Sequence, residues 1–143
     1  MEIRRSLSDD LDVIVSFDHV AQEQSARRDF IKRSIDNKEA YVVIESSSIV
    51  GYAVIDYSFF DNGFISMLYI APSHRHQGYG SALVRYIERI CKTPKLFTST
   101  NESNVIMQAL LEKLGFHRSG WIDNLDEGDP ELVYFKWLGN EAR

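Results

Sequence analysis

The chain has 143 residues, 44% of them hydrophobic and 26% charged, which suits one globular domain with a real core. No apolar run approaches the roughly 20 residues of a membrane helix, and a single cysteine, Cys91, excludes an internal disulfide framework and a cysteine-rich zinc cluster. With 21 acidic against 16 basic residues the net charge is −5, which argues against general nucleic-acid binding and permits a cationic substrate.

The opening segment MEIRRSLSDD lacks the apolar stretch of a signal peptide, so the cytoplasm is the expected location. EIRRSL reads as a first strand. Ser8 is placed as the N-cap of a helix whose first turn carries Asp9 and Asp10, where negative charge suits the helix dipole. Leu11, Ile14 and Val15 form its apolar stripe. A second helix is expected from about Gln22 to Asp36, with Phe30, Ile31 and Ile35 on one face. From Ala40 the pattern turns to strands: AYVVIE and SIVGYAVIDYSFF are rich in β-branched and aromatic residues and form a hairpin across SSS. Asp61-Asn62-Gly63 is a turn signal, and FISMLYI follows as a strand that ends at Pro72.

A helix opening near Tyr79 has a clear buried face in Tyr79, Ala82, Leu83, Tyr86, Ile87, Ile90 and Cys91, and Pro94 stops it. KLFTST is then a strand, followed by a helix from about Ser103 to Leu114 that Gly115 closes. FHRSGWI and ELVYFKWL are two further strands around DNLDEGDP. The order βααβββαβαββ predicts a mixed α/β fold, read as one domain over 1–143 without repeat or linker.

The helix after Pro72 opens on Gly78-Tyr79-Gly80, although glycine in a helix costs up to about 1 kcal/mol relative to alanine. The first amides of a helix lack intrahelical partners and sit at the positive end of its dipole, so bare glycines there admit a phosphate group to the backbone. Arg75, His76 and Gln77 add donors at the same mouth. Taken alone, Gly-x-Gly leaves two readings open, a phosphate site or tight helix–sheet packing. The third glycine of a dinucleotide fingerprint and the Lys-Ser/Thr of a P-loop are both missing.

The longer pattern is more specific. MLYIAP, then Arg75-x-x-Gly78-x-Gly80, then Asn104 ahead of a helix ending Glu112-Lys113-Leu114-Gly115-Phe116, resembles the GNAT superfamily of N-acetyltransferases over roughly residues 63–116. The resemblance implies a GNAT-like acyl-CoA N-acyltransferase fold and transfer of acetyl from acetyl-CoA directly to an amine of a small molecule or peptide. It implies a cofactor site of Leu68, Tyr69, Ile70, Arg75, His76, Gln77, Gly78, Tyr79, Gly80, Ser81 and Asn104. In that family a backbone amide at a bulge of the fourth strand holds the developing oxyanion, a place that falls on Leu68 or Tyr69.

One departure stands out. Many members carry a tyrosine as proton donor where this chain has Leu111, and leucine cannot donate. Water, Tyr69, Tyr79 or Tyr134 could supply that proton; otherwise the chain is a CoA-binding sensor module without efficient transfer. Phe64 stands where some members keep a catalytic carboxylate, which leaves Asp56, Asp61, Asp129 and Glu131 as candidate bases. The acidic stretch of Asp123, Asp126, Glu127, Asp129 and Glu131 reads either as a rim for a cationic acceptor or as a solvated turn. His74 and His76 have no third ligand at metal spacing, so no metal is expected. Monomer and homodimer remain equally open.

Overall fold

A computed structural model describes residues 1–139. Its strands are β1 (Glu2–Arg5), β2 (Ala40–Glu45), β3 (Ser48–Phe59), β4 (Asn62–Ile70), β5 (Lys95–Asn101), β6 (His117–Ile122) and β7 (Glu131–Trp137). They form one mixed sheet in the order β1-β2-β3-β4-β5-β7-β6. The helices are α1 (Asp10–Phe17), α2 (His19–Glu23), α3 (Ser25–Asp36), α4 (Tyr79–Ile90) and α5 (Val105–Lys113), with a 3-10 turn at Pro72–His74. Residues 140–143 of the expected domain lie outside the described residues. Among the described residues, no helix is long and apolar enough to cross a membrane.

The mixed α/β fold and its seven strands are as expected from sequence; the N-terminal helices differ in two respects. The segment read as one helix from Gln22 is two, because Asp18 starts a helix earlier: its Oδ1 accepts the Val20 and Ala21 amides at 3.0 and 3.2 Å. Gln24, extended at φ −126° and ψ 114°, then separates α2 from α3. Ser8 is not the cap of α1. Asp9 holds that position without a side-chain bond, and the Asp10 carboxylate instead accepts the Leu7 amide at 2.7 Å and a two-pronged contact from Arg4 at 2.8 and 3.2 Å.

The chain divides into two compact units, Met1–Ile55 with Met67–Ile87, and Asp56–Ser66 with the chain from Glu88 onward. In the first, β1 and β2 pair antiparallel from Glu2 opposite Ile44 to Arg5 opposite Tyr41. Ser46 and Ser47, at φ 51° and 67°, make the two-residue turn into β3. Ile14, Ala21, Ile31, Ile35, Ala40, Val42, Tyr52 and Val54 form its core. Each large apolar side chain so buried contributes about 1.5–3 kcal/mol. On α4 the buried face includes Val84 beside Leu83 and Ile87.

In the second unit, β4 pairs parallel with β5 over Gly63–Ile65 against Leu96–Thr98. Antiparallel β7 lies along all seven residues of β5, and β6 lies on the other side of β7. The turn before β4 is displaced from its expected place at Asp61-Asn62-Gly63. Phe60 and Asp61 hold the left-handed conformation at φ 52° and 65°, and Asn62 already begins the strand. Gly63 serves close packing, since a β-carbon there would lie 2.5 Å from Cys91 Sγ. Gly115, at φ 94°, closes α5 as expected.

Candidate functional site

The glycine turn belongs to the first unit. The Ala71 amide at the end of β4 donates to the Val50 carbonyl at 2.8 Å, and Pro72–His74 then winds one 3-10 turn. His76 and Gly78 take left-handed φ values of 62° and 91°. The first helical bond of α4 runs from the Ala82 amide to the Gly78 carbonyl at 3.0 Å. The amides of Tyr79, Gly80 and Ser81 therefore precede any intrahelical acceptor. A β-carbon on Gly78 would have no atom within 4 Å, so the space before this backbone is open. Arg75, His76 and Gln77 are exposed. Arg75 Nε donates to the Ile70 carbonyl at 3.0 Å, and Gln77 Nε2 reaches the Ser73 carbonyl at 3.5 Å. Tyr79 lies against the His74 ring, and its phenol is held above the usual tyrosine range by desolvation and by the Glu45 carboxylate.

Leu68, Tyr69 and Ile70 are half-buried at the end of β4. Gly51 on β3 lets this segment come close: its β-carbon would stand 2.6 Å from Ile70 Cδ1 and 3.0 Å from the Tyr69 carbonyl oxygen. The Tyr69 ring stacks on Phe17 with centroids 6.3 Å apart. The Arg27 and Arg75 guanidiniums lie 5.6 and 5.2 Å from its centroid. Its hydroxyl has no hydrogen-bond partner among the described residues.

Sequence reasoning missed the group behind Tyr69. Asp18 and Tyr52 are fully buried. Asp18 Oδ2 accepts the Tyr52 hydroxyl at 2.6 Å and Arg27 Nε at 3.0 Å. Burial, and then the bond to Asp18, push the Tyr52 phenol well above its ordinary value. The one legible hint was an aspartate directly ahead of the polar turn HVAQE, the pattern of a helix cap.

The remaining nominated residues belong to the second unit. Asn104 caps its own helix, accepting the Met107 amide at 3.1 Å. Leu111 is 2% exposed and packs as core. Tyr134 is fully buried, its hydroxyl donating to Glu112 at 3.3 Å and accepting from Arg118 Nε at 3.5 Å. Three of the acids in the acidic stretch have local partners: Asp129 accepts the Ser103 hydroxyl at 2.6 Å, Asp126 the Asn101 side-chain Nδ2 at 2.9 Å, and Glu131 the Ser99 hydroxyl at 2.7 Å, while Asp123 and Glu127 are exposed. Asp56 accepts the Ser58 hydroxyl at 2.7 Å, and Asp61 is exposed. Among the described residues, no group of three or more His, Cys, Asp or Glu side chains is placed to hold a metal ion.

Fold and family resemblance together define the class: an acetyl-CoA-dependent acyltransferase. The pattern of the acetyltransferase (GNAT) family matches residues 3–116, and the chain belongs to that family. It is similar to a GNAT-family acetyltransferase of Bacillus cereus, at 41% identity and TM-score 0.89, covering 95% of this chain and 96% of that one. A GNAT-family acetyltransferase of Streptococcus agalactiae superimposes at TM-score 0.78 and 24% identity, covering 95% and 94%. A streptothricin acetyltransferase candidate of Bacillus anthracis, in complex with acetyl coenzyme A, shares the fold at TM-score 0.64 and 19% identity, covering 68% and 61%. No curated protein sequence matches the chain.

Proposed function

We propose that this protein moves the acetyl group of acetyl-CoA to a primary amine of a small molecule or peptide in the cytoplasm, using the turn at 75–81 and the end of β4. The open ground before Gly78 carries the reading. Open ground at one turn glycine is shared with Gly120, Gly128 and Gly139; what sets Gly78 apart is that it leads directly into the Tyr79, Gly80 and Ser81 amides at the start of α4, the donors a diphosphate needs. The Gly78 to Ser81 amides hold the two phosphates, and the exposed Arg75, His76 and Gln77 offer side-chain donors beside them. Asn104 offers Nδ2, since its Oδ1 is engaged by the helix cap.

Bound acetyl-CoA supplies an acetyl group on a thioester, which a neutral amine converts to an amide as the N–C bond forms, the C–S bond breaks, and the proton released by nitrogen replaces, through solvent, the one given to sulfur. The Leu68 or Tyr69 backbone N–H donates to the carbonyl oxygen as it gains charge. Tyr69 holds a proton at Oη for the leaving sulfur, which Leu111 cannot provide. Tyr134 is the weaker choice, because its hydroxyl is enclosed between Glu112 and Arg118.

Calorimetry with acetyl-CoA tests the placement. Gly78→Trp and Gly80→Trp are each expected to abolish binding while circular dichroism stays native. Native-like affinity in both folded variants overturns it.

A further inference from the structure

We propose that Arg27 binds the acceptor: its terminal guanidinium nitrogens take the carboxylate of an amino-acid-type substrate beside Tyr69. This rests on the reading of the β4 end as the acetyl-transfer point.

The argument starts from how Arg27 is held. An arginine facing a carboxylate usually presents two nitrogens to two oxygens. Here that pairing is blocked, because Asp18 Oδ1 is committed to the Val20 and Ala21 amides. Only Oδ2 remains, and it is shared between Arg27 Nε at 3.0 Å and the Tyr52 hydroxyl at 2.6 Å. Nε also lies 3.3 Å from the Tyr52 oxygen. The guanidinium is thus pinned at one of its five N–H donors. Both terminal nitrogens make no hydrogen bond to any described residue, although the side chain is only 18% exposed.

Among the described residues the buried side-chain atom left without a partner is Ser66 Oγ, so the two Arg27 nitrogens reach the surface, held in direction and open to water or a ligand. Asp18, the anion that holds Arg27, is itself fully buried and satisfied by four donors, so it cannot also serve the free prongs. A planar pair of donors fixed in direction matches a carboxylate in two-point geometry. The location gives the class of ligand. The guanidinium carbon lies 5.6 Å from the centre of the Tyr69 ring, and Arg75 lies 5.2 Å from the same centre. Two guanidiniums thus face this ring, and Asp18, the carboxylate that pairs with one of them, is buried and fully satisfied, so it cannot receive an incoming ammonium. An amine that also carries a carboxylate would be anchored by the carboxylate, with its nitrogen close to the end of β4.

The test uses the full chain, with thiol release for turnover and calorimetry for acetyl-CoA affinity. Acceptors are offered in pairs that differ only in the carboxylate: L-amino acids and β-alanine, each against its carboxamide. At least one acid is expected to exceed its amide by about 100-fold in kcat/KM. Arg27→Gln should reduce that preference to below about tenfold by raising KM, with coenzyme affinity unchanged. Arg27→Lys keeps the charge beside Asp18 but loses the fork, so it should stay folded and recover only part of the preference; it carries the test if the glutamine variant does not fold. Absence of any acid-over-amide preference in the native protein, or a preference left at its native size in either folded variant, overturns the proposal. Coenzyme binding without carboxylate preference removes this inference alone, whereas absent coenzyme binding removes the underlying reading as well.

Discussion

Tyr52 donates to Asp18 across 2.6 Å with both side chains shut off from solvent. A buried carboxylate is tolerated only when its oxygens are satisfied, and here the cap amides, Tyr52 and Arg27 share that task. Tyr52→Phe removes one donor to a charged acceptor and is expected to cost about 1.5–3 kcal/mol in urea unfolding. The substitution also has a pH signature. The native phenol holds its proton above the ordinary value of 10.0, so its contribution is complete below that pH and is lost as pH rises from there through the native value. Stability of the phenylalanine variant should fall less steeply above about pH 10.

Asp10 gives the opposite dependence. Burial alone would raise its carboxyl, but the Arg4 contact, the Leu7 amide and Ser6 outweigh this and hold it below the ordinary 3.8. Its stabilisation is present above that value and is lost as pH falls from about 3.8 through the lower native one. Asp10→Asn should therefore be less stable near neutrality and show a shallower loss below about pH 4 in acid-unfolding curves.

The fold was legible because its signals are local. Strand periodicity, the serine turn and the Gly115 stop all act within a few residues of their effect. Some errors were local, since Asp18 caps α2 through the Val20 and Ala21 amides and the carboxylate of Asp10 takes the Leu7 amide; others arose where a distant partner decides. Asp61-Asn62-Gly63 reads as a hairpin turn, yet Gly63 is required in the strand by the approach of Cys91 Sγ, and the turn moves to Phe60 and Asp61. For the site, the Arg75 to Ser81 turn was visible as a motif, whereas Asp18, Tyr52 and Arg27 come from three separate elements and meet only after folding. Leu111 shows the same limit: its identity raised a question about proton donation, and its burial in the second unit shows what the leucine itself does.

Gly51 is a sensitive position for both stability and activity. A methyl group there would stand 2.6 Å from Ile70 Cδ1, 3.0 Å from the Tyr69 carbonyl oxygen and 3.2 Å from Val43 Cγ1. The Ile70 and Val43 side chains can yield, but the Tyr69 backbone cannot without shifting the end of β4. Gly51→Ala should cost about 1–3 kcal/mol by thermal or urea unfolding. It should also lower kcat more than a surface substitution of equal stability cost, since it moves the proposed amide donor.

Tyr69 and Tyr134 separate by the kind of damage each causes. Tyr69→Phe keeps the ring between Phe17 and the two arginines and removes only an unpartnered hydroxyl. The expected result is a loss of about 100-fold in kcat, with acetyl-CoA affinity and melting temperature close to native. Tyr134→Phe breaks contacts to Glu112 and Arg118 in a fully buried setting, so it should lower stability while leaving kcat within a few-fold. The reverse outcome would assign proton delivery to Tyr134.

Asn104 has two groups that a single substitution can part. Its Oδ1 accepts the Met107 amide at 3.1 Å and caps α5. Its Nδ2 has no partner among the described residues and is the atom proposed to meet the coenzyme. Asn104→Ala removes both and should cost about 1 kcal/mol in stability together with coenzyme affinity. Asn104→Asp retains the cap, because aspartate is an equally good N-cap, and it replaces the Nδ2 donor with an anionic oxygen. The aspartate variant should therefore melt at the native temperature or slightly above it and bind acetyl-CoA several-fold more weakly by calorimetry. Unchanged affinity in that variant would restrict Asn104 to its structural role at the start of α5.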